Sequence, residues 1–317
     1  MSFIFGPVPS RRLGRSLGID VIPPKTCTFD CTYCESGPTT HLSTKRVMFA
    51  DPLEVLKQLD EFFRRSPDGA DAITFSSAGE PTLYLGLGEL IRAIKARHPN
   101  IPLVVLTNGC LLRDAAVRED LSKADRVVPS LDAATPETFS TINRPHPSLH
   151  LPEILEGLKA FRRDFKNRFH LEIMLASGVN DTPEELAAIA REVAKIAPDR
   201  IELNTVVRPP ARAGVKGLSP AAMEHAASFF PAGITDIIGT FGGRPRGDSS
   251  SGLSERILQT VERRPCTIPE LAASLGVPEN TLEAESGTLL AQKRLTMLSF
   301  DGQSFLCLPE RSTSSRK

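Results

Sequence analysis

Residues 25–37 read KTCTFDCTYCESG, and they place Cys27, Cys31 and Cys34 within one short segment. The other three of the six cysteines are scattered along the chain, at Cys110, Cys266 and Cys307. A disulfide framework is typical of shorter, secreted chains. The cysteines therefore do not indicate a disulfide framework, and the grouping of three of them favours a ligand set. We expect a protein of a reducing compartment, the cytoplasm.

Three interpretations of this group stay open from the spacing alone. The cysteines are incidental, or they bind zinc with a fourth ligand such as His41, or they hold a [4Fe–4S] cluster. A cubane cluster normally takes four thiolates. Three thiolates leave one iron open, and an open iron can bind a substrate or a cofactor.

The rest of the first 240 residues alternates short apolar runs with amphipathic segments. Six runs predict strands, at 18–22, 71–76, 101–107, 125–131, 169–175 and 201–206, and helices are predicted at 51–65, 152–164 and 182–196. Leu53, Leu56, Leu59 and Phe63 share one face of the first helix. Thr182 and Glu185 have the spacing of a capping box. Six strand–helix units predict a parallel sheet, wound openly or as a barrel smaller than the full eight units.

The character of the chain changes near residue 242. Residues 242–252 are rich in Gly, Ser and Pro and predict a linker. Helices at 254–264, 267–276 and 277–295 are predicted next, followed by two strands over 296–308 that flank an Asp-Gly turn. This is the order of a winged helix-turn-helix. The predicted domains are thus a barrel over 1–241, a winged helix over 253–310 and a tail over 311–317.

The motif CTFDCTYC, residues 27–34, resembles the signature of the radical S-adenosylmethionine (SAM) superfamily. The resemblance implies a partial (β/α)6 barrel in which Cys27, Cys31 and Cys34 hold a [4Fe–4S] cluster and SAM chelates the open iron. It implies that Tyr33 lies near the adenine. The cysteines follow the first of six predicted strands, as that fold requires. The implied reaction cleaves SAM to a 5′-deoxyadenosyl radical.

Other landmarks of that superfamily match residues at the ends of later strands. Gly79 and Glu80 stand where the family binds the SAM amino group, with Ala78 in place of the first glycine. The resemblance also implies SAM contacts by Asn108, Ser130, Asp132 and Asn204. Each has a plainer interpretation: a turn at 78–81 that starts a helix, an Asn-Gly turn at 108–109, or a core amide with a partner in the protein.

The whole arrangement over roughly residues 3–240, including the opening segment FGPVPSRRLGRSLGID at 5–20, resembles the iron–sulfur oxidoreductases grouped with wyosine-type tRNA synthases, in a branch with a C-terminal winged helix. The archaeal synthases have further amino-terminal cysteines for a second cluster, whereas this chain has none before Cys27. The resemblance implies a flavodoxin or ferredoxin as low-potential electron donor. The implied substrate is an RNA nucleoside, for example in tRNA, or a polypeptide as in glycyl-radical activating enzymes.

The charge of the chain argues against some classes of function. The chain has 38 basic and 38 acidic residues, so it gives no sign of a protein dominated by nucleic-acid binding. The predicted recognition helix carries Glu279, Glu283 and Glu285 against Lys293 and Arg294, which argues against DNA reading. An iron–sulfur redox sensor that binds DNA stays the alternative hypothesis. No apolar run reaches the length of a membrane span, so no membrane partner is expected.

Three basic loops have two interpretations each. They are 10–15 with Arg11, Arg12 and Arg15, 143–147 with Arg144 and His146, and 206–212 with Arg208 and Arg212. Each either faces an anionic substrate or is a solvated surface loop.

Overall fold

The protein is built on a sheet of eight strands. The computed structural model describes residues 2–10, 12–238 and 252–310. The predicted linker (except Gly252), the predicted tail and Arg11 lie outside these ranges. The strands are β1 (Ile4–Ser10), β2 (Gly14–Ile19), β3 (Thr26–Cys27), β4 (His41–Leu42), β5 (Ala72–Phe75), β6 (Leu103–Thr107), β7 (Arg126–Pro129), β8 (Arg168–Leu175), β9 (Arg200–Thr205), β10 (Thr235–Ile237), β11 (Thr296–Phe300) and β12 (Gln303–Cys307).

The large sheet has the order β1-β2-β5-β6-β7-β8-β9-β10. β1 is antiparallel to β2, and every later neighbour pair is parallel. The six predicted strands correspond to β2 and β5–β9, which confirms an α/β fold with a mostly parallel sheet. The first was misplaced, because the observed strand ends at Ile19 and Val21 and Ile22 follow it as loop. β1 and β10 were not predicted.

Ten helices connect the strands or follow them within the described ranges. They are α1 (Pro52–Arg65), α2 (Leu87–Arg97), α3 (Ala115–Leu121), α4 (Pro136–Ile142), α5 (Leu151–Asp164), α6 (Pro183–Ile196), α7 (Pro220–Ala227), α8 (Leu253–Arg263), α9 (Ile268–Leu275) and α10 (Glu279–Ala291). The predicted apolar face of α1 is correct except at Leu53, which is 69% exposed. Val55 takes its place in the core.

Successive side chains of a strand point to opposite faces of the sheet, so one set faces the core and the other faces the cavity. In β2, Leu17 and Ile19 are fully buried in the main core, whereas Ser16 and Gly18 line the inner cavity of the curved sheet. The ring of Phe5 on β1 lies directly over Gly18, where a Cβ atom would approach Phe5 Cζ to 2.1 Å. β1 therefore packs close across this part of the cavity, and only glycine leaves room for it.

Arg12, in the turn between β1 and β2, ties distant strands together. Its guanidinium bonds the carboxylates of Glu172 on β8 and Glu202 on β9. Glu202 also accepts a hydrogen bond from His170 Nδ1 at 2.7 Å if that nitrogen is protonated. Arg12 thus serves a structural ion pair rather than an anion site, and it holds the first strands against the last ones.

The C-terminal segment has a core of its own. α8, α9, α10 and the hairpin β11–β12 bury Ile257, Leu271, Leu282 and Leu306 among others. The hairpin forms as predicted, with Asp301 and Gly302 in left-handed conformations at its turn. α10 is shorter than the predicted 277–295. Across the described ranges, no helix is long and apolar enough to cross a membrane.

Candidate cofactor and substrate site

A cavity of about 370 Å³ lies at the carboxyl ends of the parallel strands. Nine of the ten residues singled out from the sequence line it: Cys27, Cys31, Tyr33, Cys34, Gly79, Glu80, Asn108, Ser130 and Asn204. The tenth, Asp132, is buried behind this lining. Residues up to 177 positions apart are therefore brought together where barrel active sites form.

The cysteine loop is fixed by main-chain contacts to the segment after β5. The N–H of Lys25 donates to the carbonyl of Ala78 at 2.9 Å, and the N–H of Glu80 donates to the carbonyl of Thr26 at 3.1 Å. A Cβ atom at Gly79 would stand 2.0 Å from that Thr26 carbonyl oxygen. The glycine is needed because two backbones meet here.

The three thiols are half-buried and close enough to influence one another. Burial, reinforced by Glu80, raises the pKa of Cys27 to about 12. Burial and the charge of Asp132 raise the pKa of Cys31 well above its ordinary value. Thiolates in such a place need bound cations to stabilise them.

Among the described residues, no three His, Cys, Asp or Glu side chains converge on a single ion position. A cubane does not require such convergence, since each cysteine binds a different iron. The three thiols that line the cavity are the ligand type that holds such a cluster, and in this respect the cysteines fit a [4Fe–4S] cluster.

Glu80 is 2% exposed and accepts four hydrogen bonds. Oε1 receives the Thr82 N–H and the hydroxyls of Thr82 and Thr107, and Oε2 receives the Asn108 N–H at 2.8 Å. Burial raises its pKa despite these donors. Oε2, with one donor, keeps acceptor capacity toward the cavity.

Asp132 acts through Tyr33 rather than at the cavity surface. Its Oδ2 accepts the Tyr33 hydroxyl at 2.5 Å and the Asn143 amide at 2.7 Å, and its Oδ1 accepts the Met174 N–H at 3.0 Å. Burial raises the pKa of Asp132 to about 6, against the opposing effect of these donors. Asn143 was not predicted from the sequence. It stands in the stretch from which Arg144 and His146 were chosen, and nothing in the local pattern marks it.

Asn204 offers a direct sign of a ligand. It is 5% exposed on β9, it lines the cavity, and its Oδ1 has no hydrogen-bond partner among the described residues. An amide oxygen left without a partner in a buried place is costly. A ligand with a donor group, such as an amino group or a ribose hydroxyl, fits this position. Ser130 lines the cavity on the neighbouring side.

The C-terminal segment forms part of the cavity wall. Arg208, which follows β9 and is 3% exposed, bonds Glu35 of the cysteine loop at 3.1 Å and Glu270 of α9 at 2.6 Å. Burial would lower the pKa of Arg208, but the two carboxylates outweigh it and raise the value. Arg264, beyond α8, lines the cavity itself. Arg208 is thus an internal ion-pair residue rather than a free anion-binding group.

The other basic loops mostly serve internal contacts. Arg144 and Arg212 both pair with Asp30, which stands just before Cys31. His146 lies beside Ser148, with 2.9 Å between Nδ1 and Oγ, on an exposed loop. Neither arginine is among the cavity residues.

A family model described as the Radical SAM superfamily matches residues 21–193, more than half of the chain. The chain belongs to the radical SAM superfamily. Members of this superfamily are enzymes that use a [4Fe–4S] cluster and SAM. The zinc interpretation and the DNA-binding sensor are therefore not supported. The predicted cofactors, a [4Fe–4S] cluster and SAM, are confirmed, whereas the assignment of Cys27, Cys31 and Cys34 as cluster ligands stays a prediction.

Two relatives of this radical SAM chain differ in how much of their length it covers. It is 38% identical over 279 residues to a protein named GTPase Obg from Brachyspira hyodysenteriae, covering 87% of this chain and 41% of that protein. It is 31% identical over 309 residues to a UPF0026 protein from Helicobacter pylori strain J99, covering 97% and 98% of the two chains. The chain thus spans less than half of the first relative and nearly all of the second.

The fold is similar to that of a solved radical SAM methyltransferase from Sphaerobacter thermophilus. The TM-score is 0.52 at 17% sequence identity, and the match covers 70% of this chain and 66% of the other. At this identity the similarity concerns the fold alone.

Proposed function

We propose that this protein is a radical SAM enzyme that abstracts a hydrogen atom from an RNA nucleoside or a polypeptide. Cys27, Cys31 and Cys34 hold the cluster. When bound, the reduced cluster supplies the electron that cleaves SAM to methionine and a 5′-deoxyadenosyl radical.

The chain's own residues hold SAM in this proposal. Glu80 Oε2 accepts from the SAM amino group, and Asn204 Oδ1 accepts from a second donor group of SAM. Tyr33, fixed through its hydroxyl by Asp132, positions the adenine. Gly79, Asn108 and Ser130 complete the surface against which SAM packs.

The charge of the cavity supports a neutral reacting group. Among the described lining residues, Arg12, Arg208 and Arg264 are matched in number by Glu35, Glu80 and Glu172. A site for a free phosphate would carry surplus positive charge. A base, a ribose or a peptide group fits this balance better.

The C-terminal segment is proposed to be a winged-helix domain over 253–310, separate from the barrel domain over 1–241. Its order of three helices and a hairpin supports this, and so does the bridge between Cys266 and Leu306, which adds a strand position between α8 and α9. Its contacts with the cysteine loop support a role in presenting the substrate or contacting a protein. The proposed electron donor is a flavodoxin or a ferredoxin.

The observation that carries the proposal is the convergence of three thiols and the partnerless Asn204 oxygen on one cavity. The test is anaerobic reconstitution with iron and sulfide, followed by dithionite and SAM. We expect 5′-deoxyadenosine by mass spectrometry from the wild type and none from Cys34→Ala. A stable wild-type cluster with no more product than Cys34→Ala, also in the presence of RNA and protein extracts, would contradict the proposal.

A further inference from the structure

Two asparagine side chains approach the cysteine sulfurs from different parts of the fold. Asn108, directly after β6, places Nδ2 3.7 Å from Cys27 Sγ. Asn143, directly after α4, places Nδ2 3.5 Å from Cys31 Sγ. Both distances are those of a weak N–H···S hydrogen bond. Two of the three proposed cluster ligands therefore receive a side-chain donor.

The orientation of both amides is fixed by their other contacts. Asn108 Oδ1 accepts the Cys110 N–H at 3.1 Å, and its Nδ2 also donates to Thr28 Oγ1 at 2.7 Å. Asn143 Nδ2 also donates to Asp132 Oδ2 at 2.7 Å. An amide nitrogen carries two hydrogens. In each residue one hydrogen goes to an oxygen, and the second is directed to sulfur.

We propose that Asn108 and Asn143 are positioning residues that raise the reduction potential of the cluster. Hydrogen bonds to the sulfurs of an iron–sulfur cluster are among the factors that set its potential. A donor dipole with its positive end at sulfur stabilises the reduced cluster, which carries one more negative charge. The inference rests on the proposed cluster site.

The two asparagines differ in the group that each side-chain amide contacts besides sulfur. Asn143 is 3% exposed and lies between Cys31 and the buried carboxyl group of Asp132. Without its amide, Cys31 would lose a donor that stands between its sulfur and that carboxylate, and a negative charge near the cluster opposes reduction. Asn108 is more exposed, and its Nδ2 donates to the Thr28 hydroxyl rather than to a carboxylate. Loss of Asn143 therefore lowers the potential more than loss of Asn108.

The test is an anaerobic redox titration of the reconstituted protein without SAM, followed by the electron paramagnetic resonance signal of the reduced cluster. Asn108→Leu and Asn143→Leu keep the side-chain size and remove the N–H groups. We expect both midpoint potentials to fall below that of the wild type, with the larger fall for Asn143→Leu. Resonance Raman spectra should show a higher Fe–S(Cys) stretching frequency in both variants.

Asn167→Leu is the matched control, since this exposed asparagine lies just before β8 and its Nδ2 donates to the Ala124 carbonyl at 2.9 Å, far from the cysteines in the sequence. Its potential should equal that of the wild type. If a leucine variant fails to retain iron, the corresponding alanine variant replaces it. Wild-type potentials in iron-replete variants would overturn the inference while leaving the proposed function intact. A wild-type protein that binds no cluster would overturn both.

Discussion

Gly79 shows at the scale of one residue how the site is assembled. It stands where the superfamily resemblance implies a SAM contact, yet its most direct constraint is the Thr26 carbonyl beside it. The same position thus has to meet a ligand on one side and the cysteine loop on the other. This explains why a small residue is needed there, whichever ligand the cavity holds.

Gly79→Ala should displace the cysteine loop. The added Cβ would overlap the Thr26 carbonyl oxygen, and relief of such an overlap costs about 1–3 kcal/mol. We expect most of the bound iron to be lost after reconstitution, measured as iron per chain. Gly287→Ala is the control, because no atom lies near its Cβ position and it stands in the exposed part of α10. Equal iron contents in the two variants would contradict this account.

Single residues of the site were predictable where a motif marks them. The cysteine spacing identified three thiols, and the structure brings them to one cavity. Asn143 was not predictable, because it is 112 positions from Cys31 and its neighbours are an ordinary loop sequence. The position of Asp132 behind Tyr33 was equally hidden. Sequence marks a residue type at a strand end, and only packing shows which side chain reaches the cavity.

At the scale of elements, helix capping was predicted at Thr182 and Glu185 and is half correct. Thr182 Oγ1 accepts the Glu185 N–H at 3.3 Å, as expected. The Glu185 carboxylate instead reaches the start of α4, where it accepts from the N–H groups of Ala134 and Thr135. The complete capping box lies in α9, between Thr267 and Glu270. A local sequence pattern cannot show that the carboxylate hydrogen-bonds to the start of a neighbouring helix instead of its own.

Glu185→Ala should therefore destabilise the start of α4, while the Thr182 cap of α6 keeps its main-chain donor. It leaves the partly buried N–H groups of Ala134 and Thr135 without their acceptor, which costs about 2 kcal/mol. Urea unfolding followed by circular dichroism measures this loss. Glu184→Ala, an exposed neighbour in the same first turn, should change the unfolding free energy by only a few tenths of a kcal/mol. A Glu185→Ala variant as stable as Glu184→Ala would refute this role of the Glu185 carboxylate.

The strands that were missed have a physical reason. β1 reads IFGPVPS, and two prolines and a glycine argue against a strand in the middle of a sheet. Such residues are tolerated at an edge, and β1 is the edge strand of this sheet. The six inner strands were predictable because continuous apolar runs are typical of parallel strands buried on both faces.

At the scale of the whole molecule, the ion pairs of Arg12 connect the turn between β1 and β2 to β8 and β9. Composition and periodicity do not predict this contact. Burial alone would raise the pKa of Glu202, but His170 and Arg12 outweigh it and lower the pKa below the ordinary value of 4.5. The folded state thus favours the charged form. Its contribution to stability is present above pH 4.5 and is lost as the pH falls through the lowered folded pKa.

Glu202→Gln should cost about 3 kcal/mol near neutral pH, because it breaks a largely buried ion pair. The difference from the wild type should shrink as the pH falls from 4.5 through the lowered folded pKa, because the carboxylate of the unfolded chain is protonated first and that of the folded protein after it. Urea unfolding at a series of pH values checks this. Glu224→Gln, at an exposed position in α7, serves as control. A difference that stays constant down to the acid transition would argue against the ion pair.

The ion pairs of Arg12 also join residues that the ribosome adds at very different times. Glu172 and Glu202 follow Arg12 by 160 and 190 positions. A ribosome that adds about 5–20 residues per second delivers Glu202 about ten to forty seconds after Arg12. During the first 160 positions of that interval the hairpin of β1 and β2 can form while its arginine has neither of its two carboxylates. The ion pairs that hold this hairpin against β8 and β9 therefore form only late in synthesis, after most of the strands of the large sheet have been made.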